Sequence, residues 1–131
     1  MGNRVVHFEI EAQDINRAKG FYSKAFGWKM EQMGGEFGNY VVVTTGDPKE
    51  PMGINGGIFP AENKKELNAY SCVVGVDDIH KAIDDVKAAG GKILDEKPTE
   101  IPGVGIYAKC EDTEGNRFSL LQPSPNRKPK S

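Results

Sequence analysis

Asp14-Ile15-Asn16-Arg17-Ala18 and Asp78-Ile79-His80-Lys81-Ala82 are two versions of one phrase, set 64 residues apart (78 − 14) in a chain of 131. At the same displacement Gly27 falls on Gly91 and His7 on Ser71. Two similar halves account for this more simply than one irregular fold. In each copy the aspartate is a good helix N-cap, because its carboxylate can accept from the free backbone N–H groups of the first turn. Ile15, Ala18, Tyr22 and Ala25 then recur at helical spacing, and Gly27 is placed to take the left-handed conformation just past the helix end. Ile79, Ala82, Ile83, Val86 and Ala89 form the second stripe, closed by Gly90-Gly91.

Ahead of each helix the periodicity drops to two. Val6, Phe8 and Ile10 share one face while His7, Glu9 and Glu11 share the other; Tyr70, Cys72, Val74 and Val76 likewise stand opposite Ser71, Val73 and Gly75. After each helix come shorter strands: 28–33, 40–45 and 53–59 in the first half, 92–96, 106–111 and 118–122 in the second. Asp112-Thr113-Glu114-Gly115-Asn116 is a hairpin turn with Gly115 supplying positive φ. Each half is thus βαβββ, which makes the chain α+β. The first module is expected over about 4–59, a linker with room for one helical turn over about 60–68, the second module over about 69–122, and a mobile tail over 123–131.

Composition narrows the function classes. Seventeen basic residues against 19 acidic give a net charge of −2, without the basic excess of a nucleic-acid binder. No apolar run approaches the ~18 residues of a membrane helix, and the start lacks an apolar export core, so a cytoplasmic protein without membrane partners is expected. Cys72 and Cys110 stand far apart with no CxxC spacing, which indicates neither a disulfide framework nor a zinc knuckle.

His7-Phe8-Glu9-Ile10, the run from Asp14 through Phe21-Tyr22-Ser23-Lys24-Ala25-Phe26-Gly27-Trp28, Val76-Asp77-Asp78-Ile79, and Asp112-Thr113-Glu114-Gly115-Asn116-Arg117-Phe118 together resemble the vicinal oxygen chelate superfamily of glyoxalase I, bleomycin resistance proteins and extradiol dioxygenases. Thr113 replaces the proline usual in that turn. The resemblance implies two βαβββ modules forming an open, curved, eight-stranded barrel-like sheet with helices on the outer face, a site in its concave cleft, and a homodimer. It also implies metal-ligand places on four strands, which fall here on His7, Asn55 or Gly57, Ser71 and Ser119.

Of these only His7 is a competent ligand. A catalytic dication needs about three imidazole or carboxylate donors converging on one point, whereas neutral hydroxyls are weak donors that stay protonated near neutrality. Glu9 shares the His7 face and offers a carboxylate from an unusual place, which leaves room for a loosely held divalent ion; no firmly bound cofactor is expected. The expectation is a small-molecule-binding protein with a degenerate metal site. It would either sequester its ligand or use His7, assisted by Glu9, as a metal-free general acid or base. The alternative is a metal-dependent glyoxalase-like lyase or isomerase, or a dioxygenase.

Ligand contacts are expected from Trp28, Asn55, Gly57, Ser71, Val73, Tyr107 and Ser119. Each also has a plainer reading: Trp28 as a core seal, the serines as small polar lining, and Asn55-Gly56-Gly57 as a run permitting close backbone approach. That run is not a phosphate loop, since no helix and no Gly-Lys-Ser/Thr follows it.

Overall fold

A computed structural model of the chain describes residues 3–35, 38–47, 49–50, 52–61 and 70–125. Its contacts divide into two compact units, one built on His7–Tyr70 and the other on Ser71–Lys130 with Met1–Val6. The elements run β1 (Arg4–Ala12), α1 (Ile15–Phe26), β2 (Lys29–Gln32), β3 (Val41–Thr44), β4 (Gly56–Pro60), β5 (Tyr70–Gly75), α2 (Ile79–Ala88), β6 (Lys92–Ile93), β7 (Thr99–Ile101), β8 (Gly105–Glu111) and β9 (Arg117–Pro123). Both halves therefore carry the expected strand-helix-strands order.

In the unit built on His7–Tyr70, β1 runs parallel to β4, and β3 lies antiparallel to both β4 and β2. Alternation along each strand sends Ile10, Ala12, Val41, Val43 and Ile58 into a buried cluster, to which α1 adds Ile15, Ala18 and Tyr22. His7 and Glu9 of β1, Val42 of β3 and position 57 of β4 consequently lie on the opposite face. Asp14 caps α1 by accepting from the Arg17 backbone N–H at 3.0 Å, and Gly27 closes it at φ 72° with its N–H on the Ser23 carbonyl. Ala25 departs from the expected stripe: it is exposed, and α1 fully buries none of its side chains.

The unit built on Ser71–Lys130 repeats the plan. There β5 runs parallel to β9, and β8 is antiparallel to β9 and receives both β6 and β7. Val76, Ile79, Ile83, Ala108, Cys110 and Leu120 form its core. Asp78 caps α2 through the backbone N–H groups of His80 and Lys81, and the Gln122 side chain accepts from the Ile79 N–H at 2.9 Å, tying the helix start to β9. In the β8–β9 hairpin the Asp112 carboxylate accepts from the backbones of Glu114 and Asn116 and from the Asn116 amide. Those bonds hold the carboxyl below the usual aspartate range and explain why the turn is built from these residue types.

Three expectations need correction. A ninth strand, β7, pairs with β8; it is three residues long between Pro98 and Pro102, too short to show a period, and prolines are tolerated at the ends of an edge strand. β6 covers only Lys92 and Ile93, shorter than the expected 92–96. The expected tail begins too early, because Pro123 pairs with Gly105 and the Ser124 N–H donates to the Val104 carbonyl. Residues 62–68 of the expected linker and 126–131 of the expected tail lie outside the described residues. Among the described residues no helix is long and apolar enough to cross a membrane.

Two outcomes follow from this burial. Ile58 is fully buried whereas Met52 is largely exposed, so Ile58→Ala should cost about 2–5 kcal/mol in urea unfolding while Met52→Ala stays within about 0.5 kcal/mol. Burial, with the Asp95 carboxylate adding to it, pushes the Cys110 thiol up to about 11. Thiolate is the reactive form, so Ellman's reagent near pH 8 should titrate exposed Cys72 in the native chain and reach Cys110 only after denaturation.

Candidate functional site

β1 places His7 and Glu9 two residues apart on the face away from the core cluster, while Phe8 and Ile10 hold the strand against that core. Glu9 is only 8% exposed, and a carboxylate withdrawn from water requires polar partners. Tyr40 supplies one of them. Its hydroxyl lies 2.7 Å from His7 Nε2 and donates to Glu9 Oε2 at 3.4 Å. A phenol carries one proton, so when the hydroxyl donates to Glu9 the imidazole is the donor to the phenol oxygen. When it donates to His7, that nitrogen is the acceptor. The three side chains form a short relay through which a proton can be placed at either end.

The backbone explains how Tyr40 reaches this position. It directly precedes β3, behind Asn39 at φ 60°, and its carbonyl accepts from the Met33 N–H at 2.8 Å. The ring crosses β4 above Gly57, which is paired with Glu9 on one side and Val42 on the other. A Cβ at position 57 would overlap the Tyr40 hydroxyl and ring carbons; one at Gly56 would strike the Phe8 carbonyl and ring on the core side. Adjacent glycines are thus required for close approaches on opposite faces of the strand.

A catalytic dication needs about three imidazole or carboxylate donors converging on one point. His7, Glu9 and Glu11 are the strong donors that β1 contributes to this face, and Tyr40 hydrogen-bonds His7 and Glu9. Of the alternatives for the second place, Gly57 has no side chain. Asn55 precedes β4, and its Oδ1 accepts from the Thr45 backbone N–H at 2.8 Å and from the Thr45 hydroxyl at 3.2 Å. Among the described residues no group of three or more His, Cys, Asp or Glu is arranged to hold a metal ion.

The other expected residues divide between the two units. Tyr107 and Ser119 share a hydroxyl–hydroxyl bond of 2.6 Å between β8 and β9, and Val73 is paired with Ser119. Both Val73 and Ser119 are buried, and Ser71 lies on the same face of β5, two residues before Val73. Trp28 lies with the apolar residues beneath α1, stacked on Tyr22 at 5.2 Å and tilted against Phe8. That is the core-seal position, on the face opposite His7. A groove of about 460 Å³ runs along the helix side of the unit built on Ser71–Lys130, floored by Val74, Val76, Phe118 and Leu120; none of the expected site residues lines it. From sequence Tyr40, like Tyr107 and Phe59, is an aromatic residue that suits a ligand or a core equally, and no motif joins it to His7 and Glu9. The available signal was an aromatic residue opening a strand, in the same sequence as a glycine pair that needs an approaching group.

Comparison with known proteins agrees with the fold. The family model described as the Glyoxalase/Bleomycin resistance protein/Dioxygenase superfamily matches residues 4–120. CFP32 of Mycobacterium tuberculosis, provisionally named a glyoxylase, is 32% identical over 122 residues; the match takes in 91% of this chain but 44% of that protein's length. A glyoxylase-like domain-containing protein of Didymella fabae is 31% identical over 113 residues, covering 86% of this chain and 88% of that one. A variant of Streptomyces coelicolor methylmalonyl-CoA epimerase in complex with 2-nitronate-propionyl-CoA superimposes with a TM-score of 0.69, over 97% of this chain and 99% of that one. At 15% identity this last likeness is one of fold.

The part-buried Ser119–Tyr107 hydrogen bond gives a direct check. Tyr107→Phe removes the hydroxyl facing Ser119 while keeping the ring, and should lower stability by about 1–3 kcal/mol in denaturant unfolding. Adding Ser119→Ala should recover part of that loss, because the Ser119 hydroxyl is then no longer left facing the phenyl ring.

Proposed function

The chain belongs to the Glyoxalase/Bleomycin resistance protein/Dioxygenase superfamily, and from that premise we propose that it binds a small organic molecule without a firmly held metal ion. The observation that carries this reading is the Tyr40 hydroxyl between His7 and Glu9. The relay offers a ligand both a hydrogen-bond donor and a hydrogen-bond acceptor within one small patch. A carbonyl compound matches it: the oxygen accepts from phenol or imidazole, and a neighbouring acidic proton faces groups able to take it. Glu9 orients the pair and balances a proton held on His7.

Sequestration requires only the first of these contacts. Metal-free proton transfer, with His7 as acid or base, is the second reading, favoured by the 2.7 Å bond that gives the imidazole nitrogen a proton-carrying neighbour. Both readings take the protein to be a cytoplasmic homodimer with a small-molecule partner.

Thermal-shift titration with glutathione adducts, short keto acids and aromatic heterocycles tests the proposal, because a compound that binds only the native state raises Tm by mass action. At least one class should raise Tm equally with and without EDTA. His7→Ala should weaken that compound about tenfold, the worth of roughly one hydrogen bond to a chargeable group. If His7 moves a proton, the same change should abolish turnover as well. A shift that vanishes in EDTA and returns with zinc, nickel or manganese would contradict the reading.

A further inference from the structure

The family's metal chemistry and this chain's donor set disagree, and the reason lies in one side chain beyond the missing ligands. We infer that Tyr40 is the specificity-determining residue of the site: its ring fills the space a side chain at position 57 would use, and its hydroxyl joins the two donors a dication would otherwise bridge. The inference deepens the proposed function and rests on it for the nature of the ligand, though not for the exclusion of metal.

Three observations meet at this point. His7 and Glu9 reach toward one atom, the Tyr40 oxygen, at 2.7 and 3.4 Å. That atom therefore sits where these two donors converge. Gly57 is in register with Glu9, so a carboxylate placed there would be the natural third donor. Any side chain at that position meets the tyrosine ring. Tyrosine and glycine are thus one interlocked choice: while Tyr40 holds its position, residue 57 has no room for a donor, and while residue 57 is glycine, the ring can lie flat across the strand.

The chemical consequence concerns which ligands the site accepts. A dication recruits two neighbouring oxygens of a substrate and polarises them by charge. A phenol offers one directional proton at a fixed point. The site therefore favours molecules presenting a single carbonyl-type oxygen and gains nothing from a second oxygen placed for chelation.

The experiment compares the untagged chain with Gly57→Ala, Tyr40→Phe and Tyr40→Ala/Gly57→Glu, using zinc alone as the titrant in calorimetry and far-UV circular dichroism to confirm folding. Wild type and Tyr40→Phe should show no zinc binding that depends on His7. The folded double variant should bind zinc about tenfold or more tightly than wild type, as expected when a coordinating partner is gained, and His7→Ala on that background should remove the gain. Gly57→Ala should displace the ring and move the His7 imidazole NMR signals, a readout that needs no metal and decides the matter if the double variant does not fold. Unchanged His7 signals in Gly57→Ala, wild-type zinc binding as tight as in the double variant, or a folded double variant with no gain would each overturn the inference. Failure of every organic compound to bind would sink the proposed function and leave these zinc and NMR results standing on their own.

Discussion

A phenol laid across a glycine is the constraint on which the polar face of the His7–Tyr70 unit depends. Glu9 is nearly withdrawn from solvent, and a buried carboxylate is tolerated only when its surroundings satisfy it. Tyr40 contributes to that while also engaging His7, and it can do so only because β4 has no side chain at position 57. Local backbone and site chemistry are therefore one problem. Turning Asn39 into the left-handed region brings Tyr40 to the strand edge, the absent Cβ lets the ring pass, and the hydroxyl then links an imidazole to a carboxylate.

Beneath this arrangement lies a simple division of labour between the faces of β1. Phe8, Ile10 and Ala12 join Val41, Val43 and Ile58 in the core, where close packing makes any one-residue slip of the strand costly. The same register fixes His7 and Glu9 on the other face. Burial of hydrocarbon thus supplies the rigidity with which the polar groups are held. The unit built on Ser71–Lys130 uses the same plan with milder chemistry. There the paired side chains on β8 and β9 are Tyr107 and Ser119, neither of which carries charge at neutral pH.

Much of the fold was legible in the sequence because its strongest features are local. Asp14 and Asp78 announce helix starts through their own carboxylates, Gly27 a helix end through its φ, and Asp112 with Gly115 and Asn116 a tight hairpin. Period-two alternation told which side of β1 is polar. β7 escaped notice because three residues between prolines have no period to detect, and its pairing with β8 is decided by a neighbour rather than by its own composition. The site was legible only in part. His7 and Glu9 stand on one strand and can be read together, whereas Tyr40 is 31 residues from Glu9 and joins them only after three strands have paired. Trp28 shows the reverse difficulty: a large aromatic residue suits a ligand or a core equally well until its neighbours, Tyr22 and Phe8, are known.

The direct measurement is the metal content of chain purified without a histidine tag and without chelators, determined by elemental analysis alongside His7→Ala. On the proposed reading, in which the Tyr40 phenol links His7 and Glu9 and no ion is firmly held, zinc, nickel, manganese, iron and cobalt should all be far below stoichiometric in both proteins. A full equivalent of any one of them in the wild-type chain, lost in the His7 variant, would contradict that arrangement.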